Sequence, residues 1–537
     1  MRNFLDSKPF KLIFSAIFLA FIAASCSTSA EDDNIIYNAA KALIYKQYNE
    51  QTNSLNYDYE EAKYVLSKLG DKVEITSTAK DRNNKSVVFF YFTQMVDHND
   101  PSKGTFQQYC ALHYKGRDNI TILETNGYSI WEEKNYLIED MADVFDTNYL
   151  EVEHRYFKRS GIDLKYDTKS AAYWQYNTAE QATADLHDIV TAFKETSEFN
   201  GKWISTGLSK NGILTSLYAY KYPNDMDVYV PFCAPFLNEL ESLSVGKYLS
   251  EESGKNDVID EETGETVHDR TWKCLTDYLE NPGAQQALWN LAKANSYEGS
   301  EAEFKSYITT LYMANAFAKF SYSNVTLWTD VIPLYENYET DAEGQQLYAN
   351  CFFIFANLNH TNFKEAIVLL RELNGLTEDS RSLNSYEKLK IYPPEEVVEI
   401  AYFIQAAKEL GYYTYDWSYL KDRGLLSDDE IEAYRESIYI KNIVKGYDVE
   451  YDNGALMNGF FDFLAKNSSK DKCRMVFVYG ENDPWTGGAI PDNLADDTYI
   501  KKILIKKGVH SSNLNSQLYY SQEDREKVVS AISNFLQ

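Results

Sequence analysis

Residues 202–212 read K-W-I-S-T-G-L-S-K-N-G, and this stretch constrains the fold more than any other. Trp203 and Ile204 make an apolar, strand-like entry. Gly207-Leu208-Ser209 breaks it, and Lys210, Asn211 and Gly212 lead into an amphipathic run ending at Tyr222. This is a strand, a sharp turn and a helix, with a serine at the apex. Such a turn exposes the hydroxyl above a sheet while the next backbone N–H points at whatever the oxygen attacks. Ser209 is therefore a candidate nucleophile and the Lys210 N–H a candidate oxyanion donor.

The flanking sequence supplies that sheet. Residues 33–69 have helical spacing through Ala40, Leu43, Ile44 and Tyr48. Residues 87–92, 105–114 and 120–123 are β-rich runs broken at Asn99-Asp100-Pro101 and Arg117-Asp118-Asn119, and read as opening strands. Residues 148–156 predict another strand, carrying Glu151, Glu153, His154 and Arg155. These charges are costly to bury unless paired or facing a cleft; the other reading is an edge strand with solvated charges. A long helix over 170–193 precedes the serine turn, and a short buried strand over 228–232 follows it. Alternating strands and helices predict a parallel sheet. From 236 to 467 the rhythm becomes purely helical, as at Leu288, Leu291 and Ala292. It returns with strands at 474–479 and 500–505 and a final helix over 521–536, where Ser521 and Asp524 have capping-box spacing.

At 537 residues the chain is too long for one core of ordinary size. The expected organisation is a signal segment 1–25, a tether and N-terminal segment 26–60, a core in two parts, 61–236 and 468–537, and a helical cap 237–467. The fold class is α/β: a mainly parallel sheet with a large α-helical cap insertion.

Two further residues complete a constellation. Asp483 lies in Gly480-Glu481-Asn482-Asp483-Pro484-Trp485 and His510 in Gly508-Val509-His510-Ser511. Each stands just beyond the carboxyl end of a predicted strand, where open α/β sheets build their sites. A serine hydroxyl is a poor nucleophile at neutral pH, so a histidine must take its proton and an acid must hold that histidine's tautomer. The order serine, acid, histidine is that of α/β-hydrolases. Asn126-Gly127-Tyr128 follows the strand ending near Glu124; the Tyr128 N–H is a candidate second oxyanion donor, and an ordinary turn reads equally well there. Asn211 departs from the usual turn, which has glycine two positions after the serine. Asn tolerates unusual backbone angles, so the turn is strained but allowed. No cofactor is called for, and without a C-x-x-C pair or a His/Cys cluster no metal site is expected.

Gln94-Met95-Val96-Asp97-His98, Gly104-Thr105-Phe106-Gln107-Gln108-Tyr109, Glu153-His154-Arg155-Tyr156-Phe157, Trp174-Gln175-Tyr176-Asn177-Thr178 with Gln181-Ala182, the serine turn, Asp483-Pro484-Trp485 and His510 together resemble serine-peptidase family 37. These are secreted bacterial prolyl tri/tetrapeptidyl aminopeptidases, related to the family 28 prolyl carboxypeptidases and dipeptidyl peptidases. The resemblance implies an α/β-hydrolase core, a helical cap limiting access to the substrate's amino end, and release of short peptides from free N-termini, often after proline. A terminal ammonium calls for a partly buried carboxylate at fixed distance from the serine; Glu153 is the first candidate, and Glu132 or Glu133, beside Trp131, the second. Trp485 is a candidate wall for a proline-binding pocket. An esterase or acylpeptide-type hydrolase would use the same machinery. A SusD-like glycan-binding surface lipoprotein is the alternative from another class, suggested by the length and by 44 Tyr and 8 Trp, and the β-rich run over 87–123 argues against it.

Lys and Arg total 52 against 81 Asp and Glu, a net charge of −29, which disfavours nucleic acid and anionic lipid headgroups as partners. Arg2, Lys8 and Lys11 precede an apolar run over 12–24 that is shorter than a bilayer-spanning helix. It ends in Ala23-Ala24-Ser25-Cys26, which resembles a bacterial lipobox, although leucine more often stands where Ala23 does. The expectation is export and a lipid anchor on Cys26, placing the protein in the bacterial cell envelope as an outer-membrane lipoprotein, periplasmic or surface-facing. Cleavage nearby to a soluble secreted form is the alternative. Without Cys26 five cysteines remain, so at least one is expected to be a free thiol.

Overall fold

The computed structural model describes residues 59–130, 136–294, parts of 300–321, 400–432, 444–466, 473–510, 514 and 521–537, apart from isolated positions within those spans. The signal segment and Cys26 lie outside the described residues. The described residues fall into two units: 59–245, 400–413 and 444–537 form the sheet-containing one, and 246–321 and 414–432 the other.

The strands are β1 (Val73–Lys80), β2 (Ser86–Met95), β3 (Thr105–His113), β4 (Thr121–Thr125), β5 (Asn148–Val152), β6 (Trp203–Leu208), β7 (Val228–Phe232), β8 (Glu241–Ser242), β9 (Tyr412–Tyr413), β10 (Met475–Gly480) and β11 (Ile500–Ile505). Apart from the β8–β9 ladder they form one sheet in the order β1-β2-β3-β5-β4-β6-β7-β10-β11. Pairings β1–β2, β2–β3 and β3–β5 are antiparallel; all others in the sheet are parallel. This is the α/β-hydrolase architecture, and it removes the helical glycan-binding alternative.

Strand alternation divides the core between the two faces. Val88, Phe90 and Phe92 join one cluster and Val87 and Phe89 the other, as the two-residue side-chain period requires. The first cluster is closed by helix α1 (Glu60–Ser67), α2 (Ala179–Glu195), α3 (Lys210–Lys221) and α4 (Ala455–Lys466) through Leu66, Phe193, Leu217 and Phe460. The second is closed by α5 (Gln522–Leu536) through Val528, Ile532 and Phe535. Covering both faces is what buries the inner parallel strands β4, β5, β6, β7 and β10 along almost their whole length.

Three elements differ from expectation. β1 pairs at the sheet edge with a mostly exposed, polar face, so it lacks the apolar run that reveals the other strands. The helix expected over 170–193 is split into one turn, Ala171–Trp174, and α2, whose start is fixed by the Thr178 hydroxyl accepting from Gln181 N–H. The third is β5, which lies inside the sheet between β3 and β4 and is buried along its length, correcting the edge-strand reading.

The other unit is helical in its described residues, with Val267–Glu280, Pro282–Ala294 and the turn Ser418–Lys421. Trp272 is fully buried there, 4.7 Å from the Tyr419 ring. The span expected to form a cap contributes to both units: α4 and the π-helix Ala406–Leu410 pack into the sheet unit's core. Among the described residues no helix is long and apolar enough to cross a membrane.

Candidate active site

The serine turn forms where β6 meets α3. Ser209 precedes the helix with φ 61° and ψ −122°, a conformation that costs a non-glycine residue on the order of 1–3 kcal/mol. Its N–H donates to Phe232 O of β7 at 2.8 Å, and its carbonyl accepts the first helical bond from Ile213 N at 2.9 Å. Two glycines allow this approach. A Cβ on Gly207 would lie 2.6 Å from the Asn211 backbone carbonyl, and one on Gly212 would lie 2.8 Å from Phe232 O. The backbone strain sits on Ser209 itself. Asn211 is an ordinary helical residue, so the expectation that its tolerance of unusual angles matters is corrected: its side chain makes a bond instead, accepting from Gly127 N at 2.6 Å.

Asp483 and His510 are brought together directly. Asp483 follows β10, is fully buried, and accepts from Trp485 N at 3.0 Å through Oδ1. Its Oδ2 is 2.8 Å from His510 Nδ1. The loops carrying them are cross-tied: Asn482 N donates to Gly508 O at 2.8 Å, Glu481 N to Ile505 O at 2.9 Å, and Lys507 N to Glu481 Oε2 at 3.0 Å. Because β6, β10 and β11 run parallel, Ser209, Asp483 and His510 all emerge at one end of the sheet. Cys233, at φ 46° after β7, puts its buried thiol within 4.8 Å of the Asp483 and His510 ligand atoms. Burial, then the Asp483 charge, holds that thiol well above its ordinary pKa, so it is a neutral neighbour of the pair. Cys110 and Cys233 carry free thiols, and these two and Cys473 are all buried. Trp485 is half-buried, its ring 5.7 Å from His510 and edge-on to Tyr413 at 4.9 Å.

The loop after β4 is held at almost every polar group. Tyr128 N–H, the candidate second oxyanion donor, donates to Asn126 Oδ1 at 2.7 Å, so serving that role would require it to exchange this bond. Asn126 Nδ2 donates to Glu151 Oε1 at 2.6 Å; burial raises Glu151 to a pKa of about 7. Glu153 is also fully buried, accepting from Ile130 N at 2.9 Å, Arg159 N at 2.6 Å and Ser160 Oγ at 3.1 Å. That is the position of a carboxylate organising two loops, rather than one on a cleft wall waiting for an ammonium. Burial raises its pKa, and these hydrogen bonds restrain the rise. Glu132, Glu133 and Trp131 lie outside the described residues.

The conspicuous motifs of the sequence meet at a residue none of them contains, Asp185 of α2. Arg155, fully buried, binds it through Nε and Nη2, each at 2.7 Å, and also donates to Val96 O, Tyr176 O and Met95 O. His98 Nε2 is 2.8 Å from Asp185 Oδ1, and Gln94 Nε2 donates to Asp185 O at 2.8 Å. Gln181 Nε2 donates to Asp97 and its Oε1 accepts from His98 N. Burial opposes protonation of His98, but the hydrogen bonds to Asp185 and Asp188 prevail and raise its pKa to about 9. An acidic residue on a helix reads as solvated, so only the clustering of motifs around it could have drawn attention to Asp185.

Residues 73–257 match the PS-10 peptidase S37 family model. The S37 resemblance holds. The chain is similar, at 25% identity over 402 residues, to the prolyl tri/tetrapeptidyl aminopeptidase of Streptomyces mobaraensis, covering 74% of this chain and 69% of that protein. It is 21% identical over 463 residues to the lysosomal Pro-X carboxypeptidase of Homo sapiens, covering 82% and 86%. A solved structure, the proline iminopeptidase of Mycobacterium smegmatis, aligns over 83% of this chain and 98% of its own at 9% identity and a TM-score of 0.32. The S37 match and the two sequence relatives make the chain a serine-peptidase hydrolase.

Proposed function

We propose that this chain is a serine exopeptidase that releases tri- and tetrapeptides from free N-termini, with proline favoured before the scissile bond. The observation that carries the reading is the buried 2.8 Å bond between Asp483 and His510, at the same sheet end as a serine held in a strained turn. Ser209 Oγ attacks the scissile carbonyl carbon while His510 Nε2 takes its proton; the carbonyl electron pair moves to oxygen, where the Lys210 and Tyr128 N–H groups receive it. Collapse expels the amine, which takes the proton from His510 and leaves an acyl-enzyme. Water, deprotonated by His510, then releases the short peptide and restores Ser209. Asp483 keeps the Nδ1 proton on His510 and stabilises the imidazolium.

Trp485, with Tyr413 edge-on to it, supplies an aromatic wall suited to a flat pyrrolidine ring. Glu132 and Glu133 are the carboxylates proposed for the substrate ammonium, because Glu153 is already committed to loop groups. The N-terminal sequence supports export and lipidation at Cys26, hence membrane attachment in the cell envelope; loss of membrane fractionation in Cys26→Ser is the expected result. The catalytic reading is tested by labelling with a fluorophosphonate and by mass spectrometry of products from proline-containing peptides. Labelling abolished by Ser209→Ala, with three- or four-residue products from free but not blocked N-termini, is expected; an unlabelled native protein refutes it.

A further inference from the structure

We propose that the side chains of Lys210 and Asn211, the two residues directly after the serine, are positioning residues that clamp Gly127 and thereby set the peptide carrying the Tyr128 N–H. The inference rests on Ser209 being the nucleophile and the loop after β4 being its oxyanion loop. Lys210 is buried, with 3% of its surface exposed, and its Nζ donates to Gly127 O. Asn211 Oδ1 accepts from Gly127 N at 2.6 Å. Both backbone groups of one loop residue are thus held by the first turn of the helix that starts at the nucleophile.

The clamp is close-fitting. A Cβ on Gly127 would lie 2.9 Å from Lys210 Cγ and 3.0 Å from Asn211 Oδ1, so only glycine admits both side chains. The Lys210 ammonium lies over the rings of Phe157 at 4.6 Å, Tyr128 at 5.0 Å and Tyr402 at 5.5 Å, and cation–π attraction offsets part of its desolvation. Gly127 C=O and Tyr128 N–H belong to one planar peptide group. A cation on the carbonyl therefore fixes where the N–H points and, by polarising the group, strengthens it as a donor. Downstream, Tyr128 O accepts from His154 N at 3.1 Å and Ile130 O from Arg159 Nη1 at 3.1 Å, which prevents the loop from swinging about the clamp.

This assigns Asn211 a purpose that a substitute for glycine would not have, and the two accounts give opposite results for Asn211→Gly. If the asparagine merely stands in for the usual glycine, the variant keeps full activity. If it clamps the loop, kcat falls by about 10²-fold, as for loss of one oxyanion donor, with KM changed by no more than about threefold. Lys210→Met is expected to behave alike, and both variants should slow fluorophosphonate labelling. Thermal midpoints show whether Lys210→Met is folded; Asn211→Gly decides the matter if it is not. Native kcat in Asn211→Gly, or loss confined to KM in both variants, overturns the clamp. Labelling that survives Ser209→Ala instead overturns the nucleophile assignment, whatever the clamp variants do.

Discussion

Removing a buried charge beneath the loop after β4 should stabilise this protein. Glu151 lies on the interior strand β5, and burial raises its pKa from 4.5 to about 7. A carboxyl raised on folding contributes full stability only below its unfolded pKa; stability is lost as pH climbs from about 4.5 to about 7 and stays lost above. At 1.36 kcal/mol per pH unit the whole difference is on the order of 3 kcal/mol. In Glu151→Gln the amide oxygen still accepts from Asn126 Nδ2, which now bonds Oε1 at 2.6 Å, but nothing titrates. The variant should therefore exceed the native protein by about 1 kcal/mol at pH 5.5 and about 3 kcal/mol at pH 8. Urea denaturation of both proteins at several pH values measures the gap, and titrating groups remote from Glu151 cancel in the comparison. A variant less stable than native at pH 8, or a gap that does not widen with pH, refutes the reasoning.

The remaining predictions concern the site and its supports. Asp483→Asn should lower kcat by about 10³–10⁴-fold through the wrong His510 tautomer, read by peptide turnover with folding intact by circular dichroism. His98, whose folded pKa of about 9 exceeds 6.5, contributes stability that is complete below pH 6.5 and lost as pH rises through about 9, worth on the order of 3 kcal/mol; His98→Asn should abolish that alkaline loss in urea midpoints between pH 6 and 10. Asp185→Asn should cost about 3–5 kcal/mol by leaving Arg155 buried without its carboxylate, seen as a lowered denaturation midpoint. Gly207→Ala should inactivate, because its Cβ would stand 2.6 Å from the Asn211 carbonyl; fluorophosphonate labelling at the native rate would contradict this.

The parts of the fold legible in the sequence share one property: their signals are local. Strands β2, β3, β6, β7 and β10 are largely apolar runs closed by turn residues, β11 sets Ile and Leu around Lys501 and Lys502, and each catalytic candidate stands in the turn or loop after β6, β10 or β11. Strand order is not local. β5 lies between β3 and β4 although it follows both, so its charged end could equally belong to an exposed edge. β1, exposed on one face and polar, carried no signal to read.

The same distinction separates catalytic from supporting carboxylates. Glu151 and Glu153 occupy one strand end with the same residue type, and nothing in their spacing tells a loop brace from a substrate contact. Their partners decide it: Asn126, Ile130, Arg159 and Ser160 come from loops that only the folded sheet brings together. A motif that conspicuous invites a functional reading, yet Arg155 within it binds Asp185 of α2, and Glu151 and Glu153 brace the loop after β4. Asn211 shows the converse. Judged against a local pattern it is the wrong letter in the serine turn; judged against Gly127 it is a hydrogen-bond acceptor placed where a glycine would leave a donor unmet. The departure from the pattern and the tie to the second loop are one fact, because an asparagine at that position links the two strand ends on which the proposed oxyanion donors stand.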